Sequence, residues 1–399
     1  MNKRKMDSKT TFAIGLATGV ILMLVVMFGF AAYDRHARWG GQMDPNRKIM
    51  EIYDLLNEVS MFPFDKDVML ENMYRGFLDG VGDPYTQYFD RLALEAFEER
   101  VAGAYFGIGV LVLEDAETMT LIVAQAFSGS PAAAAGLLPG DKIVEVDGEV
   151  VVGRPTAETM NRIRGPEGTP VDITVFRPYE DERFTVTIKR ARITVPSVFH
   201  EMMPDQIGYI RIEGFDEATR EQFSSALAEL LDKGIEGLIL DLRNNPGGNL
   251  HVVTHIANYF VPEGVVSYTI DASGRRQDFL STAEYLSLPL VVLINGRSAS
   301  ASELLSGAIQ DTGVGVLVGE QTFGKGIVQH LLRLSDGSAI KVTVAKYFTP
   351  NGTSIHGVGV APDFEVEMDE DLSRRIGQLE LEEDVQLQRA LEVLLEKVN

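Results

Sequence analysis

The fold of this chain is decided by residues Leu290 to Gln329, which read LVVLINGRSASASELLSGAIQDTGVGVLVGEQTFGKGIVQ. The short, apolar and β-branched run Leu290 to Ile294 predicts a buried strand that ends at the turn signal Asn295-Gly296. Ser300 and Glu303 then have the spacing of a capping box, and apolar residues recur behind them at helical intervals. The sequence therefore predicts that Ser300 lies at a strand-to-helix corner.

A serine at such a corner is suited to be a nucleophile, because the first N–H groups of a helix lack internal partners and can stabilise an oxyanion. Ala301 N–H is the nearest such donor. Lys325 is the candidate base, since its flanking glycines allow a tight turn against the core, where desolvation lowers a lysine pKa. Gln329 could hydrogen-bond its amine. From the residues alone, a plain helix cap at Ser300 and a solvated lysine remain alternatives.

Two motifs in this stretch resemble the signature of the carboxyl-terminal processing, or tail-specific, serine proteases. They are Ser298-Ala299-Ser300-Ala301-Ser302-Glu303 and Thr322-Phe323-Gly324-Lys325-Gly326, the second followed by Gln329. The resemblance implies that Ser300 is the nucleophile, Lys325 the base and Gln329 its support. It also implies an α/β protease core with a mixed sheet and helices, similar to ClpP and crotonase, with an inserted β-rich PDZ domain and an amino-terminal helical region.

The composition of the chain excludes several classes of function. A length of 399 residues allows two or three domains with sizeable cores. The net charge of −22 repels phosphate backbones and argues against nucleic-acid partners. Cysteine is absent, which excludes disulfides, thiolate zinc sites and a lipidated amino-terminal cysteine. The chemistry expected of Ser300 and Lys325 needs no cofactor.

The amino terminus has the pattern of a membrane anchor. Residues 1–9 form a basic flank, and Thr10 to Tyr33 is a run of 24 residues without a charge, long enough for a helix to cross a bilayer. The positive-inside rule leaves the flank in the cytoplasm and the rest in the periplasm or at the cell exterior. A cleaved signal peptide is the alternative, because Phe30-Ala31-Ala32 offers small residues; either choice exports the remainder.

Beyond the anchor, the patterns predict four further regions. Residues 34–94 are a linker and a helical region, of which 44–94 belong with the protease core. Residues 95–190 are the PDZ domain, 191–366 the serine protease core and 367–399 a helical tail. The tail contains an amphipathic helix from Asp384 to Val398 that packs either on its own core or on a second subunit. Val316 to Leu334 and Ala339 to Tyr347 are expected to complete the sheet of the core.

The segment Phe106-Gly107-Ile108-Gly109 resembles the carboxylate-binding loop of PDZ domains, and Gly136 to Asp141 strengthens the resemblance. Glycines let backbone N–H groups converge on a terminal carboxylate, and the adjacent strand edge accepts an extended peptide. The resemblance implies that the partners are unfolded or tail-bearing protein substrates. Arg164 is either a link from this module to the active site or a solvated charge at a helix end.

The predicted strand Gly237 to Leu242 ends in the run from Asp241 to Gly248, which resembles a second signature of the same protease family. The resemblance implies that a glycine of this run supplies the second oxyanion donor. A residue without a Cβ lets backbone approach a tetrahedral centre closely, and Gly247 is preferred here over Gly248. His251 and His255 share a helix face, but their motif lacks the glutamate of the zinc-binding H-E-x-x-H pattern, so no metal site is predicted. A Ser-His-Asp triad that uses one of these histidines with Asp241 remains open.

Taken together, the sequence predicts an exported, membrane-anchored serine endopeptidase with a Ser-Lys dyad. It recognises the carboxyl-terminal tails of its substrates through the PDZ domain. The alternatives are a PDZ scaffold that binds peptides without cleaving them and a Ser-His-Asp hydrolase. The resemblance to dimeric relatives makes a homodimer one expected assembly.

Overall fold

The computed structural model describes Met23, Val26, residues 44–282 and residues 285–398. The chain divides into two compact units, one that ends at Met73 and one that begins at Tyr74. The predicted anchor, Thr10 to Tyr33, lies outside the described residues apart from Met23 and Val26. Among the residues that are described, no helix combines the length and apolar character needed to cross a membrane.

The first unit contains helix α1, Pro45–Val59, and the beginning of helix α2, Lys66–Asp79. The start of α1 follows local chemistry: the Asp44 carboxylate accepts a hydrogen bond from Asn46 N–H at 3.0 Å, and proline occupies the first turn. Tyr53 packs edge-on against Phe64, with ring centroids 6.0 Å apart. The sequence predicts a helical region within residues 34–94, and α1 and α2 lie within that range.

The second unit opens with the rest of α2, strand β1, Gln87–Phe89, and helix α3, Arg91–Ala102, which lead into the β-rich module. The elements of the module are β2 Ala104–Gly107, β3 Val110–Asp115, β4 Thr120–Ala126, α4 Pro131–Ala134, β5 Lys142–Val146, β6 Glu149–Val150, α5 Thr156–Ile163, β7 Pro170–Arg177, β8 Glu182–Lys189 and β9 Ala191–Thr194. Five strands form an antiparallel sheet in the order β3-β4-β5-β7-β8, and β6 pairs with β5. This sheet has a core of its own, which includes Val123, Ile143 and Ile173.

The remaining elements build the larger α/β part. They are β10 Val198–Met203, β11 Ile207–Ile212, α6 Thr219–Asp232, β12 Gly237–Asp241, α7 Leu250–Ala257, β13 Gly264–Asp271, β14 Arg276–Ser281, β15 Leu290–Ile294, α8 Ala301–Thr312, β16 Val316–Gly319, β17 Ile327–Arg333, β18 Ala339–Phe348, β19 Phe364–Glu365, α9 Glu370–Ser373 and α10 Val385–Val398. The central sheet has the order β10-β11-β12-β15-β16-β19 and is parallel except at β10.

Helices cover both faces of the central sheet, which explains why β12 and β15 are buried along their whole length. Leu238 and Leu240 of β12 face a core shared with α6, α7 and α8. Ile239, between them, faces the opposite core, which contains Leu387 and Leu394 of α10. The alternation of side chains along a strand thus gives each face a separate apolar cluster. The predicted tail helix packs on its own core.

The prediction that Val316 to Leu334 and Ala339 to Tyr347 complete the same sheet is right for β16 and wrong for β17 and β18. β16 joins the parallel sheet, whereas β17 and β18 belong to a separate antiparallel sheet with β1, β13 and β14. The chain leaves the parallel sheet at Gly319, whose φ of 126° is unfavourable for other residues and whose Cα lies against the Ile294 carbonyl. The departure carries Lys325 away from the parallel strands and into the loop that connects the two sheets.

Candidate active site

Ser300 lies at the predicted corner, between the end of β15 and the first residue of α8. Its backbone has φ 55° and ψ −111°, a strained conformation for a residue with a side chain, of the kind that concentrates at functional sites. The hydroxyls of the two neighbouring serines form hydrogen bonds with backbone carbonyls: Ser298 Oγ donates to Leu242 O at 2.8 Å, and Ser302 Oγ donates to Asn245 O at 2.9 Å. Ser300 Oγ donates no hydrogen bond to any described residue and is partly exposed, so its proton is available for transfer.

Glu303 connects this corner to the loop that carries Lys325. Its fully buried carboxylate accepts hydrogen bonds from the backbone N–H groups of Ser300 and Lys325, both at 2.8 Å. It also accepts from Thr322 Oγ1 and Gly324 N–H, both at 2.6 Å. Glu303 therefore does more than cap its helix: one carboxylate fixes the candidate nucleophile and the candidate base relative to each other. The sequence reveals only its capping role.

Lys325 is half-buried, and its Nζ lies 5.1 Å from the centroid of the Tyr85 ring, in the geometry of a cation–π contact. Burial lowers the pKa of Lys325 below its ordinary value, although the charge of Glu303 opposes this shift. Gln329 Nε2 donates a hydrogen bond to the Tyr85 carbonyl. It thereby helps to hold Tyr85, whose ring lies against the Lys325 amine. Within the described residues, neither Ser300 Oγ nor Gln329 hydrogen-bonds Lys325 Nζ. The sequence does not single out Tyr85.

The candidate oxyanion donors come from the two segments that meet at Ser300. Ala301 N–H is buried and has no hydrogen-bond partner in the part of the chain described. A Cβ on Gly247 would lie 2.8 Å from both Ala301 N and Ser300 Cβ, so this position tolerates only glycine. Gly247 N–H itself donates to Asn245 Oδ1 at 2.9 Å, whereas Gly248 N–H has no partner among the described residues. This arrangement places Gly247 against the nucleophile but favours Gly248 as the second donor.

Among the described residues, neither His251 nor His255 hydrogen-bonds Ser300. His255 Nε2 is 3.4 Å from Ser224 Oγ, and Ser224 also contacts Tyr259 Oη at 2.9 Å. Asp241, the third member of the alternative triad, accepts hydrogen bonds from Arg243 and Tyr209 instead of a histidine. A Ser-His-Asp triad around Ser300 is therefore not assembled in this structure.

The loop Phe106 to Gly109, which resembles the carboxylate-binding loop of PDZ domains, has a backbone conformation that requires glycine at position 109. Gly109 has a φ of 81°, and a Cβ there would lie 2.4 Å from Ser130 Cβ. Ile108 is buried in the core of the module, while Phe106 and Gly107 end β2. Strand β3, directly after the loop, is at the edge of its sheet and can pair with an added strand.

Arg164 ends helix α5 and is not a free surface charge. Its Nη1 lies 2.8 Å from Glu99 Oε2 on α3, and its guanidinium lies 5.1 Å from the centroid of the Tyr105 ring. Arg164 thereby joins the module to α3, which packs against β1, and β1 pairs with β18. Among the described residues these contacts do not reach Ser300 or Lys325, and the link to the active site stays a prediction.

The fold and the site define a class: an α/β serine peptidase that carries a PDZ domain. Comparison with known proteins agrees, since residues 206–366 match the model of peptidase family S41 and residues 122–177 match a PDZ domain. The carboxy-terminal processing protease CtpB of Bacillus subtilis is 35% identical over 346 residues, which cover 85% of this chain and 71% of that protein. The carboxyl-terminal-processing protease of Synechocystis is 37% identical over 317 residues, 78% of this chain and 74% of that one.

This chain belongs to the carboxyl-terminal processing proteases of peptidase family S41 and is a serine-type peptidase. Among solved structures, a photosystem II D1 C-terminal processing protease matches with a TM-score of 0.47 and 31% identity, covering 81% of this chain and 87% of that chain.

Proposed function

We propose that this peptidase is exported and membrane-anchored, binds the carboxyl-terminal tails of protein substrates on its PDZ domain, and cleaves them with Ser300 and Lys325 as a dyad. The observation that carries the dyad is the Glu303 carboxylate, which accepts a hydrogen bond from the backbone of each residue at 2.8 Å. The unpartnered Ala301 N–H beside Ser300 supports the same assignment. Tail binding is supported by the Gly107-Ile108-Gly109 loop and the open edge of β3.

In the first half of the reaction, the Lys325 side chain turns from the Tyr85 ring toward Ser300 Oγ. Its neutral amine accepts the hydroxyl proton as the oxygen attacks the peptide carbonyl. The oxyanion of the tetrahedral intermediate accepts hydrogen bonds from Ala301 N–H and from a second N–H at Gly247 or Gly248. Lys325 then gives the proton to the departing amine, and the carboxyl-terminal fragment leaves.

In the second half, water attacks the acyl-enzyme. Lys325 accepts a proton from the water, and the same N–H groups bind the second oxyanion. Collapse of this intermediate breaks the Ser300 ester, the proton returns to Ser300 Oγ, and a new carboxyl terminus is released. Every proton is accounted for by Ser300, Lys325, water and the substrate, so the steps require no additional cofactor.

A pair of peptides tests whether the enzyme reads the tail. With the full-length chain in detergent, an unfolded peptide that ends in a free carboxylate is expected to be cleaved with a kcat/KM about tenfold higher than its carboxyl-terminal amide, because the amide removes the charge that the loop binds. Cleavage is followed by separating the products. Equal rates would show that the terminus is not recognised, and binding of the acid without any cleavage would support the scaffold alternative.

The anchor is proposed from residues 1–33 and is tested by cell fractionation. The chain is expected to stay with membranes after an alkaline carbonate wash and to be digested by protease added outside the cytoplasmic membrane. Release by the wash would favour the cleaved signal peptide. Protection from the external protease would instead contradict export.

A further inference from the structure

Arg243 is a fully buried cation near the candidate oxyanion loop, and two carboxylates neutralise it. Its Nη2 lies 2.6 Å from Asp241 Oδ2, and its Nε is 3.0 Å from Asp241 Oδ1. The second carboxylate belongs to Asp384, which accepts from Nη1 and Nη2, both at 2.8 Å. Gln386 Oε1 also accepts from Nη1, at 3.2 Å. All five N–H donors of the guanidinium are thus engaged.

Asp384 and Gln386 come from the carboxyl-terminal segment, more than a hundred residues from Arg243 in sequence. Asp384 Oδ1 also accepts from Leu387 N–H at 3.0 Å and so caps the first turn of α10. Gln386 Nε2 donates to Val366 O at 2.8 Å. The start of α10 is therefore held in place by the groups that hold Arg243.

A second contact joins the same two segments. Asn244, next to Arg243, adopts a φ of 60° and donates from Nδ2 to Ser373 O at 2.7 Å. Asn295, which follows β15, accepts from Asn244 N–H and donates to Asn244 Oδ1, both at 2.9 Å. Asn245 O in turn accepts from Ala299 N–H at 3.0 Å. Together with the peptide link between Asn244 and Asn245, these bonds connect the carboxyl-terminal segment to Ala299, the residue before Ser300, and Gly247 N–H donates to Asn245 Oδ1 at 2.9 Å.

We propose that the carboxyl-terminal residues from Ser373 to Gln386 are a positioning element of the active site, and that Asp384 acts through Arg243 to fix the oxyanion donors beside Ser300. The inference rests on the proposed function, because it concerns the site where Ser300 reacts. Asp384 touches neither substrate nor the reacting atoms. Its effect is on the placement of the loop from Arg243 to Gly248.

Asp384→Asn leaves the buried Arg243 guanidinium with one carboxylate instead of two. The neutral amide is a weaker hydrogen-bond acceptor for Nη1 and Nη2 than the carboxylate it replaces. A buried cation that loses a partner is strongly disfavoured, so the Arg243 side chain is expected to move and to take the following loop with it. A displacement of about 1 Å at an oxyanion donor is enough to lower the rate about a hundredfold. Substrate held on the PDZ domain would be unaffected.

The test compares Asp384→Asn with the unaltered full-length enzyme in detergent. We expect kcat to fall about ten- to a hundredfold while KM stays within about twofold, because only the transition state uses the oxyanion donors. The inhibition constant of a peptide aldehyde, whose adduct with Ser300 places its oxygen at the oxyanion position, should rise in parallel with the loss in kcat. The pH profile should keep its midpoint, since Lys325 is not touched.

Leu394→Ala is the matched control, because Leu394 is a fully buried residue of α10 that makes no contact with Arg243. It should lower the melting temperature and leave kcat of the folded enzyme unchanged. Gln386→Met, which removes one acceptor from Arg243, provides a milder variant and should lower kcat about two- to fivefold. A wild-type kcat in folded Asp384→Asn and Gln386→Met, or an equal fall in Leu394→Ala, would overturn the inference. If instead the unaltered enzyme neither cleaves peptides nor binds the aldehyde, the proposed function itself fails.

Discussion

Ser300→Ala is expected to lower kcat by at least about 10⁴-fold, because the reaction has no other oxygen placed to attack the peptide carbonyl. The hydroxyls of Ser298 and Ser302 already donate to backbone carbonyls, so neither can substitute. The variant should still bind tail peptides with the affinity of the unaltered enzyme. The measurements are the rate of product formation from an unfolded protein and the dissociation constant of a free-carboxylate peptide.

Ser306→Ala provides the control for this experiment. Ser306 is a buried serine farther along α8 whose hydroxyl donates to Ser302 O at 2.6 Å, so its loss removes one hydrogen bond without touching the nucleophile. It is expected to cost about 1 kcal/mol of stability and to retain cleavage. If Ser300→Ala cleaved normally while Ser302→Ala did not, the nucleophile would be assigned to the wrong serine.

The local parts of the site could be predicted from the sequence because short segments encode them. The apolar run from Leu290 to Ile294, the turn after it and the small residues before Glu303 define a strand, a corner and a helix. The glycines around Lys325 likewise indicate a tight loop. Such signals depend on the conformation of about ten neighbouring residues, which is the range over which periodicity carries information.

The parts that depend on distant residues could not be predicted. Nothing in the pattern near Lys325 indicates Tyr85, which comes from more than two hundred residues earlier in the chain and lies beneath the amine. The separation of β17 and β18 into a second sheet depends on their pairing with β1 and β13, and alternation along a strand does not identify its partner. From the sequence, Asp384 is only the first residue of a predicted amphipathic helix, although its carboxylate binds Arg243.

Glu303 holds the proposed nucleophile and the proposed base in fixed relative positions. Three of its four hydrogen bonds cross from α8 to the loop at Thr322 to Lys325 and the fourth comes from Ser300 N–H, so the two segments cannot shift independently without leaving a buried carboxylate unpaired. The same charge tends to keep Lys325 protonated, which opposes its use as a base. Burial of the amine offsets this effect and lowers its pKa. The Glu303 carboxylate therefore fixes the position of Lys325 but favours its charged form, whereas burial favours the neutral amine.

Lys325→Met is expected to lower kcat by at least about 10³-fold, because methionine keeps an apolar stem of similar length but cannot accept a proton. Lys325→Arg should not restore activity, since a guanidinium stays charged at every accessible pH. His255→Ala is the control and should retain cleavage, because His255 contacts Ser224 and Tyr259 instead of Ser300. Cleavage that survived Lys325→Met but was lost in His255→Ala would assign the base to histidine.

The pH dependence of the unaltered enzyme provides the second half of this test. Because only the neutral amine accepts a proton, kcat/KM should rise with pH through the pKa of Lys325. That pKa lies below the ordinary lysine value of about 10.4, since burial disfavours the ammonium form. The carboxylate of Glu303 acts in the opposite direction and raises the pKa of Lys325, but the effect of burial is larger. A profile that stayed flat to pH 10, or that fell with rising pH, would exclude Lys325 as the base.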